Sequence, residues 1–344
     1  MSDVILSVDN LAVSFRSDNG MVRAVRGVSF DLKRGETVAI VGESGSGKSV
    51  TIKSIMGILT KNAVIDSGTI TYDGMDLLKL SEKEYHHIRG AKIGLIFQDP
   101  LSALNPLMKI GHQITEALRL NGPINKEEAR QRAVELMDSV GIPDAQRRFD
   151  QYPFQFSGGM RQRVVIAIAL ARDPEILICD EPTTALDVTV QAKILDLIGE
   201  IKAKRNLSII FITHDLGVVA SIADRINVMY AGKIVETGTT EEIFFDPRHP
   251  YTQALLASMP DLETSEKLAS IPGVPPNMIY PPKGDAFAAR NPNALKIDFE
   301  REPPFFKISD THYAATWTLH PYAPKIEMPG VLKERIERMR RNHA

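Results

Sequence analysis

Short apolar runs alternate with longer helical patterns over residues 1–250 of the chain. The clearest buried strands are predicted at Val38 to Val41, Ile176 to Cys179 and Ser208 to Thr213. Buried strands that alternate with helices are typical of a parallel sheet with crossover helices. The pattern therefore predicts an α/β fold with a parallel core sheet.

Two regions depart from this pattern. Near the N-terminus, apolar residues alternate on both sides of a Ser-Asp-Asn-Gly turn at Ser17 to Gly20, which predicts antiparallel strands. From about Leu101 to Phe156 the pattern is more helical, and one apolar stripe runs along Glu127 to Val140. We therefore expect an antiparallel β subdomain and a helical subdomain (about 101–156) beside the core sheet.

The character of the sequence changes near residue 260. Prolines crowd together after this point, at Pro272, Pro275, Pro276, Pro281 and Pro282. Because such clusters interrupt regular structure, we predict a large domain over residues 1–260 and a small irregular C-terminal appendage over residues 261–344. Leu332, Ile336 and Met339 lie at helical spacing in its basic tail, which predicts a terminal helix that is either solvated or close to lipid headgroups.

Composition narrows the class of protein. The chain has 344 residues, of which 43% are hydrophobic and 24% charged, as in an ordinary soluble protein. Its net charge of -2 gives no general attraction for nucleic acid, and the one cysteine, Cys179, excludes an intrachain disulfide. The most apolar internal run, Val164 to Ala171, is far shorter than the roughly 20 residues that span a bilayer. We expect no nucleic-acid partner, and we expect attachment to a membrane only through other proteins.

A glycine-rich motif lies between the first predicted buried strand and a helix. Residues 42–49, Gly-Glu-Ser-Gly-Ser-Gly-Lys-Ser, match the pattern G-x-x-x-x-G-K-[ST] of a phosphate-binding loop. Backbone N–H groups of such a loop surround phosphate oxygens. The candidate binding residues are Gly42, Ser44, Gly45, Ser46, Gly47, Lys48 and Ser49. Lys48 is expected to reach the β- and γ-phosphates, and Ser49 is expected to ligate Mg²⁺.

Two carboxylates end the second predicted strand. Asp180 is a candidate ligand of Mg²⁺, and Glu181 is a candidate to position or deprotonate an attacking water. The alternative is that both carboxylates are merely solvated at a strand end. Cys179, just before them, is most simply a small apolar strand residue. Together with the phosphate loop, the pair favours an ATPase.

A capped helix is predicted after Phe156. Ser157 is a natural helix cap, Gly158 and Gly159 let another molecule approach the helix N–H groups, and Gln162 follows one turn later. On these motifs the chain resembles the nucleotide-binding subunit of an ABC transporter, whose signature is this Ser-Gly-Gly-x-x-Gln pattern. The resemblance implies the ABC cassette form of the P-loop NTPase fold, with ATP and Mg²⁺ as cofactors.

The resemblance assigns roles to further residues. Gln98 is similar to the Q-loop glutamine, Ala185-Leu186-Asp187 to the D-loop, His214 to the switch histidine and Phe15 to the aromatic residue that stacks on adenine. Core packing is the simple alternative for Phe15, and Gln98 and His214 have the alternatives of a loop amide and a structural histidine. The implied catalytic residues are Glu181, His214, Gln98 and Lys48, and the implied Mg²⁺ ligands are Ser49, Gln98 and Asp180.

Motifs outside the generic cassette resemble the ATPases of oligopeptide and dipeptide importers. They occupy residues 97–100, 104–106, 246–252 and 271–273. This resemblance implies that ATP hydrolysis by the chain powers import of oligopeptides or dipeptides. The implied partners are a second ABC ATPase subunit, usually a different chain, two transmembrane permease subunits and an extracellular peptide-binding protein. The implied location is the cytoplasmic face of the cell membrane, as a peripheral subunit.

One departure from this branch concerns iron. Many relatives have four tail cysteines that look like iron–sulfur ligands, and the matching positions here are Asp285, Asn291, Asp298 and Thr316. Soft thiolates hold such clusters, so we expect no iron–sulfur cluster in this chain. Solvated loop carboxylates are the preferred interpretation of Asp285 and Asp298, and a hard-cation site is the alternative.

The main alternative function is that of a non-transport ABC ATPase, such as a DNA-repair or translation factor. Repair relatives interrupt the cassette with long coiled coils and translation factors carry two cassettes, whereas this chain has neither feature. A P-loop kinase or GTPase is disfavoured by the signature motif and by His214. Because the chain has one copy of each motif, the resemblance implies that Ser157 and its glycines complete the ATP site of a partner subunit.

Overall fold

The computed structural model describes residues 3–184, 186–259 and 271–343, with side chains as far as residue 341. Ala185 of the predicted D-loop and the predicted domain boundary at residue 260 lie outside these ranges. The chain divides into two compact units. Unit 1 takes its residues from 1–5, 32–37 and 75–212, and unit 2 takes its residues from 6–31, 38–74 and 213–344.

The strands and helices follow one another in the α/β order that the sequence predicts. The strands are β1 Val4–Ser17, β2 Gly20–Lys33, β3 Thr37–Val41, β4 Ala63–Tyr72, β5 Met75–Asp76, β6 Ile93–Ile96, β7 Ile176–Asp180, β8 Ser208–Thr213, β9 Arg225–Tyr230, β10 Lys233–Thr239, β11 Phe306–Lys307 and β12 Tyr313–Ala314.

The helices are α1 Lys48–Ile55, α2 Glu82–Ile88, α3 Pro100–Ala103, α4 Ile110–Arg119, α5 Lys126–Ser139, α6 Ala145–Arg148, α7 Gly158–Leu170, α8 Val188–Arg205, α9 Leu216–Val219, α10 Thr240–Phe245, α11 Pro250–Ala257, α12 Lys296–Glu300 and α13 Gly330–His343. Among the helices of the described ranges, none has the length and apolar character needed to cross a membrane.

In unit 1, β7 lies between β6 and β8, and both neighbours run parallel to it. Every residue of β7 is buried, as its continuous apolar run predicts. Ile96 of β6 pairs with Cys179, and Asp180 pairs with Ile212 of β8. The carboxyl ends of parallel strands lie at the same edge of a sheet. The residues that follow β6 and β7 therefore lie next to each other at that edge.

Helices α4, α5 and α7 pack together in unit 1. Helix α5 begins after Asn125, whose side chain accepts a hydrogen bond from the Glu128 N–H and so satisfies one free donor of the first turn. The predicted apolar stripe is confirmed, because Ala129, Ala133 and Met137 are at most 1% exposed. The helical block therefore has its own core.

Unit 2 contains the predicted antiparallel strands. β1 pairs with β4 in antiparallel register, for example Leu6 with Tyr72 and Phe15 with Ala63, and β2 lies on the other side of β1. β3 runs parallel to β9, which is antiparallel to β10. β3 also supplies the strand that leads into the phosphate loop.

The C-terminal segment adds the short strands β11 and β12 and the helix α13 to unit 2. β12 pairs with β10 through Glu236 with Ala314 and Thr237 with Tyr313, and β11 pairs with β12. The predicted terminal helix is confirmed as α13. Leu332 and Ile336 of its apolar stripe are buried in the core of unit 2, so this stripe packs against the chain itself and does not lie exposed for lipid.

Candidate functional site

The phosphate loop follows β3 in unit 2, and packing fixes its glycines. A Cβ atom at Gly42 would lie 2.0 Å from the carbonyl oxygen of Met229 in β9. Gly47 has a φ of +106°, and its Cβ would lie 2.6 Å from the Ala24 carbonyl oxygen. Larger residues would push the loop away from its neighbouring strands. Glycine at these two positions therefore lets the backbone pass from β3 into α1 without a clash.

Lys48 lies along this loop. Its side chain is buried, and Nζ donates to the carbonyl oxygens of Gly42 at 2.6 Å and Glu43 at 3.0 Å. The Glu43 oxygen also accepts the Ser46 N–H. The ammonium group is thus held beside the loop, where a phosphate oxygen can replace one carbonyl as its partner. Ser44 and Gly45 at the tip are exposed, and Ser49 in the first turn of α1 is partly exposed.

The carboxylate pair ends β7 in unit 1. Asp180 is the last residue of the strand and is 8% exposed. Glu181 has a φ of +47°, a left-handed conformation that costs a residue with a side chain about 1 kcal/mol or more. The hydrogen bond from the Glu181 N–H to the Ile212 carbonyl oxygen, 2.9 Å long, holds this conformation.

Gln98 and Thr184 hold the Glu181 carboxylate. Gln98 Nε2 donates to Glu181 Oε2 at 3.1 Å, and Thr184 Oγ1 donates to the same oxygen at 2.9 Å. The structure therefore brings together two of the predicted catalytic residues and adds Thr184, which the sequence analysis missed. A hydroxyl three residues after a carboxylate in a turn is the local signal that points to it.

The signature segment begins α7, as predicted. Ser157 is the N-cap, and its Oγ accepts the Met160 N–H at 3.4 Å. The two glycines have different surroundings. A Cβ at Gly159 would lie 2.5 Å from Cγ1 of Val190 in α8, whereas the closest atom to a Cβ at Gly158 would be 3.7 Å away. Packing within unit 1 thus accounts for Gly159, which we expected to leave room for a partner's nucleotide, whereas a Cβ at Gly158 would make only an ordinary van der Waals contact.

Two other predicted nucleotide contacts, Gln162 and Asp187, differ in their exposure. Gln162 is 1% exposed, and its Nε2 has no hydrogen-bond partner among the described residues. Asp187 is exposed and caps α8 by accepting the Val190 N–H at 2.9 Å. In this conformation Gln162 is therefore not accessible to an external ligand, while Asp187 is.

The remaining predicted site residues of unit 2 lie at strand ends. His214 follows β8 and is exposed, and Asp215 beside it caps α9. Phe15 is half-buried near the end of β1. Its exposed part agrees with base stacking and its buried part with core packing, so both interpretations stay open.

The four positions that we compared with iron–sulfur ligands in the sequence are buried. Asp285, Asn291, Asp298 and Thr316 are each at most 9% exposed. The interpretation of Asp285 and Asp298 as solvated loop carboxylates was therefore wrong. Each of the four side chains instead accepts a backbone N–H close to it in sequence, from Phe287, Asn293, Leu295 and Thr318 respectively. Local hydrogen-bonded turns thus stabilise this segment.

The chemistry of these buried positions does not favour a metal ion. Within the described ranges, no group of three or more His, Cys, Asp or Glu side chains could hold one, which leaves the hard-cation alternative without support. Burial raises the pKa of the Asp285 carboxyl to about 6. Burial lowers the pKa of His249, whose Nε2 lies 3.8 Å from Asp285 Oδ2, to about 4.

Cys179 agrees with its prediction as a strand residue. It is fully buried, and burial raises the pKa of its thiol far above the ordinary value. A thiol that stays protonated in the core is a poor nucleophile and a poor metal ligand.

Two family models match the chain. The model for the ABC transporter covers residues 25–184, and the model for the C-terminal region of oligopeptide/dipeptide transporters covers residues 235–297. The chain is 59% identical to the oligopeptide transport ATP-binding protein OppD of Bacillus subtilis, over 97% of this chain and 94% of that protein. It is also 59% identical to the dipeptide transport ATP-binding protein DppD of Lactococcus lactis subsp. cremoris, over 94% and 93% of the two chains.

Solved structures show the same fold. The dimeric post-hydrolysis state of the ATP-binding cassette MJ0796 bound to ADP and Pi has a TM-score of 0.62 and 30% identity, over 68% of this chain and 98% of that chain. The structure of cbiO1 from Clostridium perfringens, part of an ABC transporter complex, has a TM-score of 0.62 and 31% identity, over 71% and 92%. The predicted fold class is confirmed.

Proposed function

The chain belongs to the ABC transporter family, in its oligopeptide and dipeptide branch, and from this premise we propose how its residues drive transport. It binds and hydrolyses ATP and powers the import of peptides. The observation that carries the mechanism is the Glu181 carboxylate, which Gln98 and Thr184 hold in place at the end of β7. A fixed carboxylate of this kind can orient and deprotonate an attacking water.

The phosphate loop binds the triphosphate of ATP. Lys48 and the loop N–H groups bind the triphosphate, and the positive end of the α1 dipole adds to this attraction. The Ser49 hydroxyl, the Gln98 amide oxygen and the Asp180 carboxylate are the hard oxygen ligands that Mg²⁺ prefers, so these residues would hold the ion. Bound Mg²⁺ supplies charge neutralisation of the phosphates. His214 contacts the γ-phosphate.

The signature helix serves a second ATPase subunit. Ser157 and Gly158 are exposed at the N-terminus of α7, where free backbone N–H groups favour an anion. The single copy of each motif in this chain supports a composite site, in which α7 of one subunit faces the nucleotide of the other. A second cassette, in most relatives a different chain, completes the pair.

The membrane partners dock on the helical block of unit 1. Leu101, Leu107 and Phe154 in this block, and Phe97 just before it, are large apolar residues with 45% to 86% of their surface exposed. Such side chains mark protein–protein contact sites, and they lie in and after the segment that contains Gln98. We assign them to two transmembrane permease subunits, with the chain at the cytoplasmic membrane face and an extracellular binding protein that delivers peptide.

Reconstitution tests this function. The chain is assembled with its second ATPase and the permease subunits in proteoliposomes, and ATP hydrolysis is measured with and without peptide-loaded binding protein. We expect peptide to increase hydrolysis, Lys48→Ala to abolish hydrolysis at this chain's site, and Lys53→Ala on the exposed face of the same helix to leave it unchanged. Hydrolysis that no oligopeptide or dipeptide alters would contradict the proposal.

A further inference from the structure

The phosphate loop of unit 2 is joined to the C-terminal segment by a buried ion pair. Arg290 Nη1 lies 2.6 Å from Glu43 Oε2, and Arg290 Nη2 lies 2.9 Å from Glu43 Oε1. The Arg290 side chain is 5% exposed and the Glu43 side chain is 27% exposed. Two parallel N–H···O bonds fix both the distance and the orientation of the carboxylate. Glu43 is the second residue of the loop, so the pair acts directly on the loop.

The backbone of Glu43 is fixed as well. Its N–H donates to the Tyr251 hydroxyl at 2.8 Å, and its carbonyl oxygen accepts from Lys48 Nζ and from the Ser46 N–H. Side chain and backbone of one loop residue are thus held by Arg290 and Tyr251, both of which lie far along the chain. Lys48, the residue expected to bind phosphate, shares the same carbonyl oxygen.

Arg290 is itself held rigidly. Its Nε donates to the Pro272 carbonyl oxygen at 2.7 Å, and Nη1 also donates to the Tyr230 hydroxyl at 3.2 Å. The guanidinium lies 5.8 Å from the centre of the Phe287 ring. Tyr230, Tyr251 and Phe287 pack against one another with ring centres 4.4 to 5.4 Å apart, and each is at most 1% exposed.

These contacts assign a structural role to two sequence motifs that ATP binding and hydrolysis do not explain. The segment 246–252 supplies Tyr251, and the segment 271–273 supplies the Pro272 carbonyl oxygen. Both converge on one residue of the phosphate loop through hydrogen bonds that unit 2 makes by itself. The C-terminal segment therefore does more than extend the sheet through β12.

The charges indicate what the pair does. Glu43 places a negative charge inside a loop that must receive a polyanion, and an unpaired carboxylate there would repel the phosphates. Arg290 neutralises this charge and keeps the carboxylate turned toward the C-terminal segment. Hydrogen bonding to Glu43 also raises the pKa of Arg290, which stays charged.

We propose that Arg290 is a positioning residue for ATP binding, which neutralises the Glu43 carboxylate and holds it toward the C-terminal segment so that its charge does not repel the phosphates of ATP. This inference rests on the proposed nucleotide role of the loop. It makes the tail of the chain a determinant of ATP affinity through the pair of Arg290 with Glu43.

A double-mutant cycle tests the proposal on the purified full chain. Equilibrium binding of a fluorescent ATP analogue with Mg²⁺ is measured for Arg290→Met, Glu43→Gln and the double variant. We expect Arg290→Met to weaken binding about tenfold, because Glu43 is left unpaired, and the loss to shrink in 0.5 M NaCl, because salt screens the repulsion. The double variant should bind within about threefold of wild type, since the repelling charge is gone.

Controls separate this inference from the function on which it rests. Arg301→Met makes the same change at an exposed arginine of the C-terminal segment and should not alter binding. Lys48→Ala should abolish binding, and retained binding in that variant would mean that the proposed nucleotide role is wrong. If Lys48→Ala fails to bind while folded Arg290→Met binds within twofold of wild type, the positioning role alone is wrong.

Weaker ATP binding that results from general destabilisation must be distinguished from weaker binding that results from loss of the Arg290–Glu43 pair. Circular dichroism and thermal unfolding identify folded variants, and Arg290→Lys, which keeps the charge but loses the bidentate geometry, should weaken binding about threefold. If Arg290→Met does not fold, Arg290→Lys and the double variant replace it in the comparison. A folded double variant that binds as weakly as Arg290→Met or Arg290→Lys would overturn the proposal, because removal of the Glu43 charge would then not restore ATP binding.

Discussion

Gln98 and Glu181 lie 83 positions apart in the sequence and share a hydrogen bond of 3.1 Å. The bond joins the loop after β6 to the strained turn after β7. Because β6 and β7 are parallel neighbours, the fold itself brings the two side chains to one edge. A movement of the Gln98 loop would therefore change the support of the carboxylate that we assign to water activation.

Replacement of Glu181 by glutamine should separate ATP binding from turnover. Glu181→Gln keeps the hydrogen bonds to Gln98 and Thr184 but cannot accept a proton from water, so ATP binding should persist while hydrolysis at this site falls about a hundredfold or more. Binding and steady-state hydrolysis in the assembled complex measure the two effects. Glu200→Gln, at an exposed position of α8, is the matched control. Near-normal hydrolysis by Glu181→Gln would remove Glu181 from the catalytic role.

Ser157→Arg should damage the partner's site. The change removes the α7 cap, at a cost of about 1 kcal/mol, and places a bulky cation where we expect the partner's γ-phosphate. Hydrolysis at the partner's phosphate loop should fall, while nucleotide labelling of this chain's own loop should persist. Photo-labelling of each subunit with a trapped transition-state analogue distinguishes the two sites.

Ser81→Arg controls for the loss of a helix cap, because Ser81 caps α2 with a hydrogen bond of the same length, 3.4 Å. It should leave hydrolysis at both sites intact. The composite-site hypothesis fails if Ser157→Arg abolishes labelling of this chain while the partner's hydrolysis is unaffected.

Regular structure was the part of this protein that the sequence predicted best. The apolar run Val38 to Val41 lies within β3, and the stripe on Glu127 to Val140 lies on the buried face of α5. Such patterns depend on neighbouring residues only. The phosphate loop, the carboxylate pair and the Ser157 cap were equally local and were placed correctly on their elements.

Contacts between distant segments were not predictable in this way. Glu43 and Arg290 are 247 positions apart, and no local pattern indicates that they pair. The burial of Asp285 and Asp298 likewise depends on how the C-terminal segment packs, so a polar, proline-rich sequence suggested solvated loops instead. Gly159 was predicted to contact a partner's nucleotide, and no local pattern indicated that Val190 of another helix lies against it.

Protein purified without oxygen should contain no stoichiometric iron. Asp285, Asn291, Asp298 and Thr316 provide oxygen and amide groups, which already accept local backbone N–H groups. Thiolates are the ligands that hold iron–sulfur clusters. Metal analysis and the visible absorption spectrum measure this directly. About four irons per chain would show that the cluster uses ligands other than these residues.

Asp285→Asn should change how stability depends on pH. The pKa of buried Asp285 is about 6, above its value of about 3.9 in an unfolded chain, so the folded protein binds this proton more tightly. The contribution of Asp285 to the free energy of unfolding is therefore largest below about pH 4, and it is lost as the pH rises through about 6. Asparagine keeps an oxygen for the Phe287 N–H and carries no charge.

The variant should accordingly be more stable than wild type by about 3 kcal/mol at pH 7.5, and the difference should disappear at pH 4. Urea unfolding across this range measures this difference in stability. Asp310→Asn, at a side chain that is 97% exposed, should leave the curve unchanged. A difference that does not vary with pH would mean that the pKa of Asp285 is the same in the folded protein as in the unfolded chain.

Accumulation of a labelled peptide in proteoliposomes tests the central claim most directly. The vesicles carry the assembled transporter with this chain, ATP on the side of the ATPase subunits, and the binding protein on the other side. Wild type should accumulate peptide only with hydrolysable ATP, the Glu200→Gln complex should do the same, and the Glu181→Gln complex should bind ATP without accumulating peptide. Accumulation at the wild-type rate by Glu181→Gln, or with no ATP present, would contradict the conclusion that hydrolysis at this chain drives peptide import.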